Sequence, residues 1–142
     1  MINWVVRGIV LLWAAFFFLT GVQGLSAAAP YFDLAGPLPD PTGRNTVRAD
    51  LSAFFLVAAV FAVIGAVRPG ASRALLVPAA LFGTAMVGRL LGVIAFGDAI
   101  TAAITQAMIA EAISAALMLG AMWQLSRPAD TTTPMPGPGS AA

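Results

Sequence analysis

Apolar positions along this chain gather into four long runs, each bounded by charge, proline or glycine. No residue between Gly8 and Pro30 is charged, and Phe16, Phe17 and Phe18 follow one another within that stretch. A second run leads from Asn45 to Val67 and stops at Arg68-Pro69-Gly70. The third, Ala74 to Phe96, is separated from the fourth, Ala99 to Leu125, by Gly97-Asp98 alone. A hydrocarbon core about 30 Å thick needs roughly 20 mostly apolar residues in helical form. The pattern therefore predicts membrane-spanning helices over 3–25, 45–67, 74–96 and 99–125, an all-α integral membrane protein built as an antiparallel four-helix bundle.

The connections differ in length. Ser26 to Gly43 carries four prolines and Gly36, which break helix repeatedly, with Tyr31 and Phe32 suited to the headgroup interface. Ala27-Ala28-Ala29 resembles a signal cleavage site, but the apolar run before it exceeds the 7–15 residues of a signal core. The first run is therefore read as a retained span. Asn45 is a good N-cap type for the second helix, and Pro78 falls near the start of the third, where a missing backbone donor disturbs least. Residues 1–127 make one transmembrane domain; residues 128–142, rich in Thr, Pro and Gly, are expected to be a disordered tail.

Composition agrees and narrows the function. The chain is 60% apolar and 9% charged over 142 residues, with a mean hydropathy of +0.92. Its net charge of +1 comes from seven basic residues, all arginine, against six carboxylates. No basic patch tracks a phosphate backbone, so nucleic acid is not an expected partner. Cysteine and histidine are both missing. That excludes disulfides, thiolate nucleophiles, imidazole bases and the usual zinc, copper or haem ligand sets, and no metal or cofactor is expected.

Arginine placement predicts orientation. Arg7, Arg68, Arg73 and Arg127 fall on one side of four alternating helices, while Arg44 and Arg48 on the other are offset by Asp33, Asp40, Asp50 and Asp98. The positive side is the cytoplasmic one, so both termini are expected in the cytoplasm, with Trp4 and Trp123 at that boundary.

Two charges interrupt the apolar runs: Arg89 in the third and Glu111 in the fourth. An ionisable side chain at membrane depth costs at least ~2.5 kcal/mol on insertion scales and faces a partner or a cavity. At 1.5 Å per residue their depths differ by roughly 8 Å, which an extended arginine can cover. Three readings follow. They form a buried ion pair that fixes the register of two helices, or they line a polar cavity in which Arg89 receives a polar or anionic head group and Glu111 exchanges a proton, or one of the charges contacts a partner chain.

A second polar cluster, Arg44, Asn45, Arg48, Asp50 and Asp98, is predicted at the outer boundary, where Asp50 would sit in the first turns of its helix and Asp98 within reach of Arg48. Small residues recur four apart at Ala58, Ala62 and Ala66, at Gly88 and Gly92, and at Ala112, Ala116 and Gly120. Such seams let helices approach closely, within the bundle or against another chain. Met86, Met108 and Met118 are expected to fill gaps in the bundle.

Arg44-Asn45-Thr46-Val47-Arg48-Ala49 resembles an Asn-x-x-Arg-Ala signature, Gly88-Arg89-Leu90-Leu91 a Gly-Arg-x-x-Ser element with Gly92 in place of the serine, and Gly97-Asp98 an Asp-Gly turn in reversed order. Glu111 falls where a fourth-span glutamate is usual. Together these resemble the four-span family called domain of unknown function 4345, over about residues 5 to 125. The resemblance implies a bacterial inner-membrane helical protein, akin in architecture to DoxX-like proteins, and implies no activity. The function expected is a non-enzymatic accessory or scaffolding subunit, or lipid-level binding module, working with the bilayer and with a membrane-protein partner or a second copy. The alternative is a small proton-coupled carrier or ligand-binding protein using Arg89 and Glu111. A membrane enzyme would have only Glu111, Asp98 and Tyr31 as acid or base groups outside the loop and tail carboxylates.

Overall fold

The computed structural model describes residues 2–26 and 40–127. They form α1 (Ile2–Ser26), α2 (Pro41–Val67), a 3₁₀ turn (Ser72–Leu75), α3 (Leu76–Phe96) and α4 (Ala102–Ser126), with no strand among the described residues. Four spans are long and apolar enough to cross a membrane, the third being the 3₁₀ turn and α3 together. Helices satisfy every backbone donor and acceptor internally, which lipid requires. The chain is an all-α, four-helix, multi-pass membrane protein. The Ala27–Ala29 segment, Tyr31, Phe32 and the tail 128–142 lie outside the described residues.

Helix starts depart from the sequence expectation at two places. The second helix begins at Pro41, with Asp40 as its N-cap in place of Asn45. The Asp40 carboxylate accepts from Gly43 N at 2.7 Å while Pro41 takes a first-turn position where its lack of an N–H is harmless, and the two signals together move the start outward by a turn. Asp50 consequently sits nine residues beyond the helix start, outside the reach of the helix dipole. The fourth helix begins at Ala102, because the Thr101 hydroxyl accepts from Ile104 N at 3.2 Å.

Packing is concentrated at the end that holds the 3₁₀ turn. There Val10, Ala14, Ala59, Ala62, Ala66, Leu75, Met118 and Ala121 form one buried cluster. Leu75 is wholly buried because Gly65 admits it: a Cβ on Gly65 would lie 2.6 Å from Leu75 Cγ and 3.2 Å from its backbone nitrogen. Arg7 Nη1 donates to the Ala66 carbonyl and, at 3.4 Å, to that of Val67, satisfying acceptors that the end of α2 leaves open. Gln124 donates to Asn3 at 3.2 Å, so the start of α1 meets the ends of both α2 and α4. Trp4 and Trp123 are exposed at this same end, with the Arg127 guanidinium 3.6 Å from the Trp123 ring centroid.

The other end is open between α3 and α4 on one side and α1 and α2 on the other. The α1–α2 pair stays closely packed; a Cβ on Gly21 would come within 2.8 Å of Leu56 Cγ. In α3 no residue beyond Phe82 is buried, and in α4 none precedes Glu111. The small-residue seams divide accordingly. Ala58, Ala62 and Ala66 are fully buried inside the bundle, whereas Gly88, Ala116 and Gly120 are exposed and Gly92 and Ala112 half-buried. The buried face of α4 instead runs through Glu111, Ser114, Met118 and Ala121, at helical spacing.

Candidate functional site

Where the helices diverge, they enclose a cavity of about 640 Å³ lined by residues from all four. That volume lies within the range of small-molecule sites. Its apolar wall is aromatic: Phe16 and Phe17 from α1, Phe54 and Phe55 from α2, and Phe82 from α3. The rings brace one another, with Phe17 and Phe54 each meeting Phe82 edge-on at 4.9 Å between centroids and Phe17 stacking on Phe55 at 5.3 Å. Such offset and T-shaped pairs fix ring positions and contribute beyond the area they bury. Trp13 stands behind this wall, 4.4 Å from Phe17 and 5.2 Å from Phe82, and its indole N–H donates to Ser114 Oγ at 3.0 Å.

The polar wall is made by Arg89, Glu111, Asp50 and Thr20. Helix periodicity puts each charged group on the cavity face. Arg89 follows Ala85 by one turn, Asp50 precedes Phe54 by one turn, and Glu111 precedes Ser114 on the buried face of α4. Measured from the open end, Asp50 lies nine residues into α2, Glu111 nine into α4 and Arg89 seven from the end of α3. At 1.5 Å per residue each lies roughly 10–14 Å from the end of its own helix, and all three line the same cavity.

Arg89 Nε donates to Glu111 Oε1 at 2.8 Å. The Glu111 side chain is 9% exposed and that of Arg89 30%. Contact through Nε leaves the rest of the fork unengaged; a bidentate pair would occupy both carboxylate oxygens. Glu111 Oε2 is buried and has no hydrogen-bond partner among the described residues. A buried acceptor left unsatisfied costs about 1–3 kcal/mol, and one such group beside a cavity marks a place where a donor fits.

The outer polar cluster does not come together. Arg89–Glu111 is the sole ion pair among the described residues, so Arg44, Arg48, Asp50 and Asp98 form no salt-bridge network there. Asp98 is exposed beyond α3, where its carboxylate folds back on Gly92, occupying the space a Cβ would need, and its backbone N–H donates to the Gly92 carbonyl at 3.1 Å. It therefore turns toward its own helix and away from Arg48. Arg44 and Asn45 are exposed, and Arg48 is half-buried with its Nε lacking a partner among the described residues. Of the cluster, only Asp50 lines the cavity, a consequence of the earlier start of α2.

Sequence reasoning missed the phenylalanine wall, the Trp13–Ser114 bond and Thr20. Phenylalanine in an apolar run is no signal by itself, since lipid-facing and cavity-facing rings have the same composition. Thr20, Ser52 and Ser114 were detectable as isolated hydroxyl residues within spans, and Ser52 and Ser114 are buried. No group of three or more carboxylates that could hold a metal occurs among the described residues.

No curated protein and no solved structure shows significant similarity to the chain. The model of one family, described as domain of unknown function (DUF4345), matches residues 5–122, a span that contains all four helices as far as the last turn of α4 and every residue lining the cavity. On that match the chain belongs to the domain of unknown function 4345 family.

Proposed function

We propose that this chain is a lipid-level binding module of the bacterial inner membrane, with both termini cytoplasmic, that holds the head of a bilayer amphiphile in its cavity without converting it. The carrying observation is Glu111 Oε2, a buried acceptor without a partner at the edge of a 640 Å³ aromatic cavity. A pair serving only to fix helix register is most stable when it closes on itself and satisfies all its lone pairs. The Arg89–Glu111 pair leaves Oε2 unsatisfied among the described residues, and both residues line the cavity. Binding has the more direct support: the cavity is lined chiefly by apolar and aromatic side chains, with Thr20, Asp50, Arg89 and Glu111 as its polar groups.

The apolar surroundings support a ligand drawn from the bilayer. Phe54 and Ala85 line the cavity and also an apolar groove on the outer surface between α2 and α3, where Leu76, Val77, Ala80 and Leu81 continue the wall. A chain can lie in the groove while its head reaches the polar wall. The accessory-subunit reading draws on exposed Gly88, Ala116 and Gly120, which permit close helix approach but specify no partner. A second reading, the proton-coupled carrier, draws on the same free carboxylate oxygen, since an acid at the ligand site can take up a proton as a ligand leaves.

The test is native mass spectrometry of the full chain released from lipid nanodiscs, beside the cavity-filling variant Ala110→Trp. The wild-type chain should retain a bound amphiphile and the variant should lose it at unchanged helix content. Equal retention by both would refute the cavity as the site. Ligand-driven proton movement in liposomes would favour the carrier.

A further inference from the structure

We infer that the cavity selects an amphiphile whose head group donates a hydrogen bond and carries no negative charge, an alcohol or a primary amine in chemical class. This rests on the binding reading above and adds the chemistry of the ligand. The first support is the direction of the missing bond. Glu111 Oε2 is a buried carboxyl oxygen with nothing donating to it among the described residues, so the group that completes the site brings an O–H or N–H. The second is the Nε-only contact of Arg89, which leaves the terminal nitrogens of the guanidinium without a bond among the described residues. A hydroxyl that reaches the pair can accept from the guanidinium and, once the Glu111 side chain turns to expose Oε2, donate to that oxygen.

Charge argues against an anionic head. The lining carries two carboxylates, Asp50 and Glu111, against one guanidinium, and that guanidinium is already committed to Glu111. A phosphate or carboxylate entering the cavity would meet exposed Asp50 and the unpartnered oxygen of Glu111, opposed by a guanidinium that is already paired. The lining also divides by polarity. Asp50, Arg89 and Glu111 share the cavity with five phenylalanine rings, so the ligand's polar end and its chain have separate partners.

The experiment compares dodecyl compounds that differ only in the head. The full chain carrying Trp4→Phe and Trp123→Phe retains Trp13 as its reporter, next to Phe17 and Phe82 of the wall. Reconstituted in nanodiscs of a neutral lipid, it is titrated with dodecanol, dodecylamine, dodecyl methyl ether and dodecyl phosphate. Dodecanol and dodecylamine should bind at least about tenfold more tightly than the ether, which accepts but cannot donate, and than the phosphate. Glu111→Gln should weaken the advantage of the amine, and Asp50→Asn should raise phosphate binding. Ether binding equal to alcohol, or phosphate binding equal to or tighter than alcohol, overturns the head-group assignment while leaving the cavity as a lipid site. Failure of all four to move Trp13 emission or to compete with one another overturns the binding reading itself. The alcohol-against-ether comparison uses no change at the site, so it decides the matter even if the Glu111 variant does not fold.

Discussion

Arg89 and Glu111, 22 residues apart on successive helices, share a single hydrogen bond from Nε to Oε1 and leave Oε2 buried without a partner among the described residues. The pair neutralises two charges at membrane depth, and the geometry of its one contact leaves one acceptor unsatisfied beside a cavity that both residues line. Stability and binding are therefore separable at this site, which the first prediction uses.

Removing one partner should cost far more than removing both. Glu111→Ala leaves the Arg89 guanidinium uncompensated and is expected to destabilise the bundle by about 3 kcal/mol, whereas Arg89→Met with Glu111→Leu should recover most of that loss. Reversible unfolding in mixed micelles measures both. A double variant less stable than the single one would show that the pair is required for folding in its own right. Amphiphile binding should be lost in either case.

The close contact at the packed end is equally specific. Gly65→Ala places a methyl group where Leu75 now sits and is expected to cost about 1–3 kcal/mol by overpacking. Leu75→Ala by itself opens a cavity and should cost about 2–5 kcal/mol. Combined, the two changes should cost less than their sum, because the methyl occupies part of the space that the leucine vacates. Strict additivity in thermal denaturation would contradict the packing described.

Ser114→Ala removes the acceptor of the Trp13 indole. An expected loss of about 1 kcal/mol should be accompanied by a shift in Trp13 emission in a chain with Trp4 and Trp123 changed to phenylalanine. An unchanged spectrum would mean that the bond is not formed in the bilayer.

Orientation can be read by single-cysteine labelling, for which a sequence without cysteine is already suited. With both termini cytoplasmic, cysteine at Thr42 or Ala99 should react with an impermeant maleimide in intact cells, and cysteine at Gly70 or Arg127 only after the membrane is permeabilised. The reverse pattern would invert the assigned topology.

Much of the architecture was legible in the chain. Four apolar runs of sufficient length set four helices, because lipid admits no other way to satisfy the backbone of an isolated segment. Helix ends were less legible wherever two cap signals competed, as Asp40-Pro41 did with Asn45. The expected reach of Asp98 to Arg48 failed for a related reason: the left-handed Gly97 cap folds the chain back so that the Asp98 backbone N–H donates to the Gly92 carbonyl, and Gly92 leaves room for the carboxylate.

By itself the sequence determined that charges at Arg89 and Glu111 must be sheltered from lipid, since that cost belongs to each residue wherever its helix is placed. Only the tertiary structure decided what shelters them. It depends on the helices packing tightly around Leu75 and parting beyond Phe82, on Asp50 lining the same cavity, and on five phenylalanines from three helices meeting at one wall. Such a site is assembled from faces of separate helices, and the relative rotation of those faces is set by contacts between distant residues, so no single run of sequence contains it.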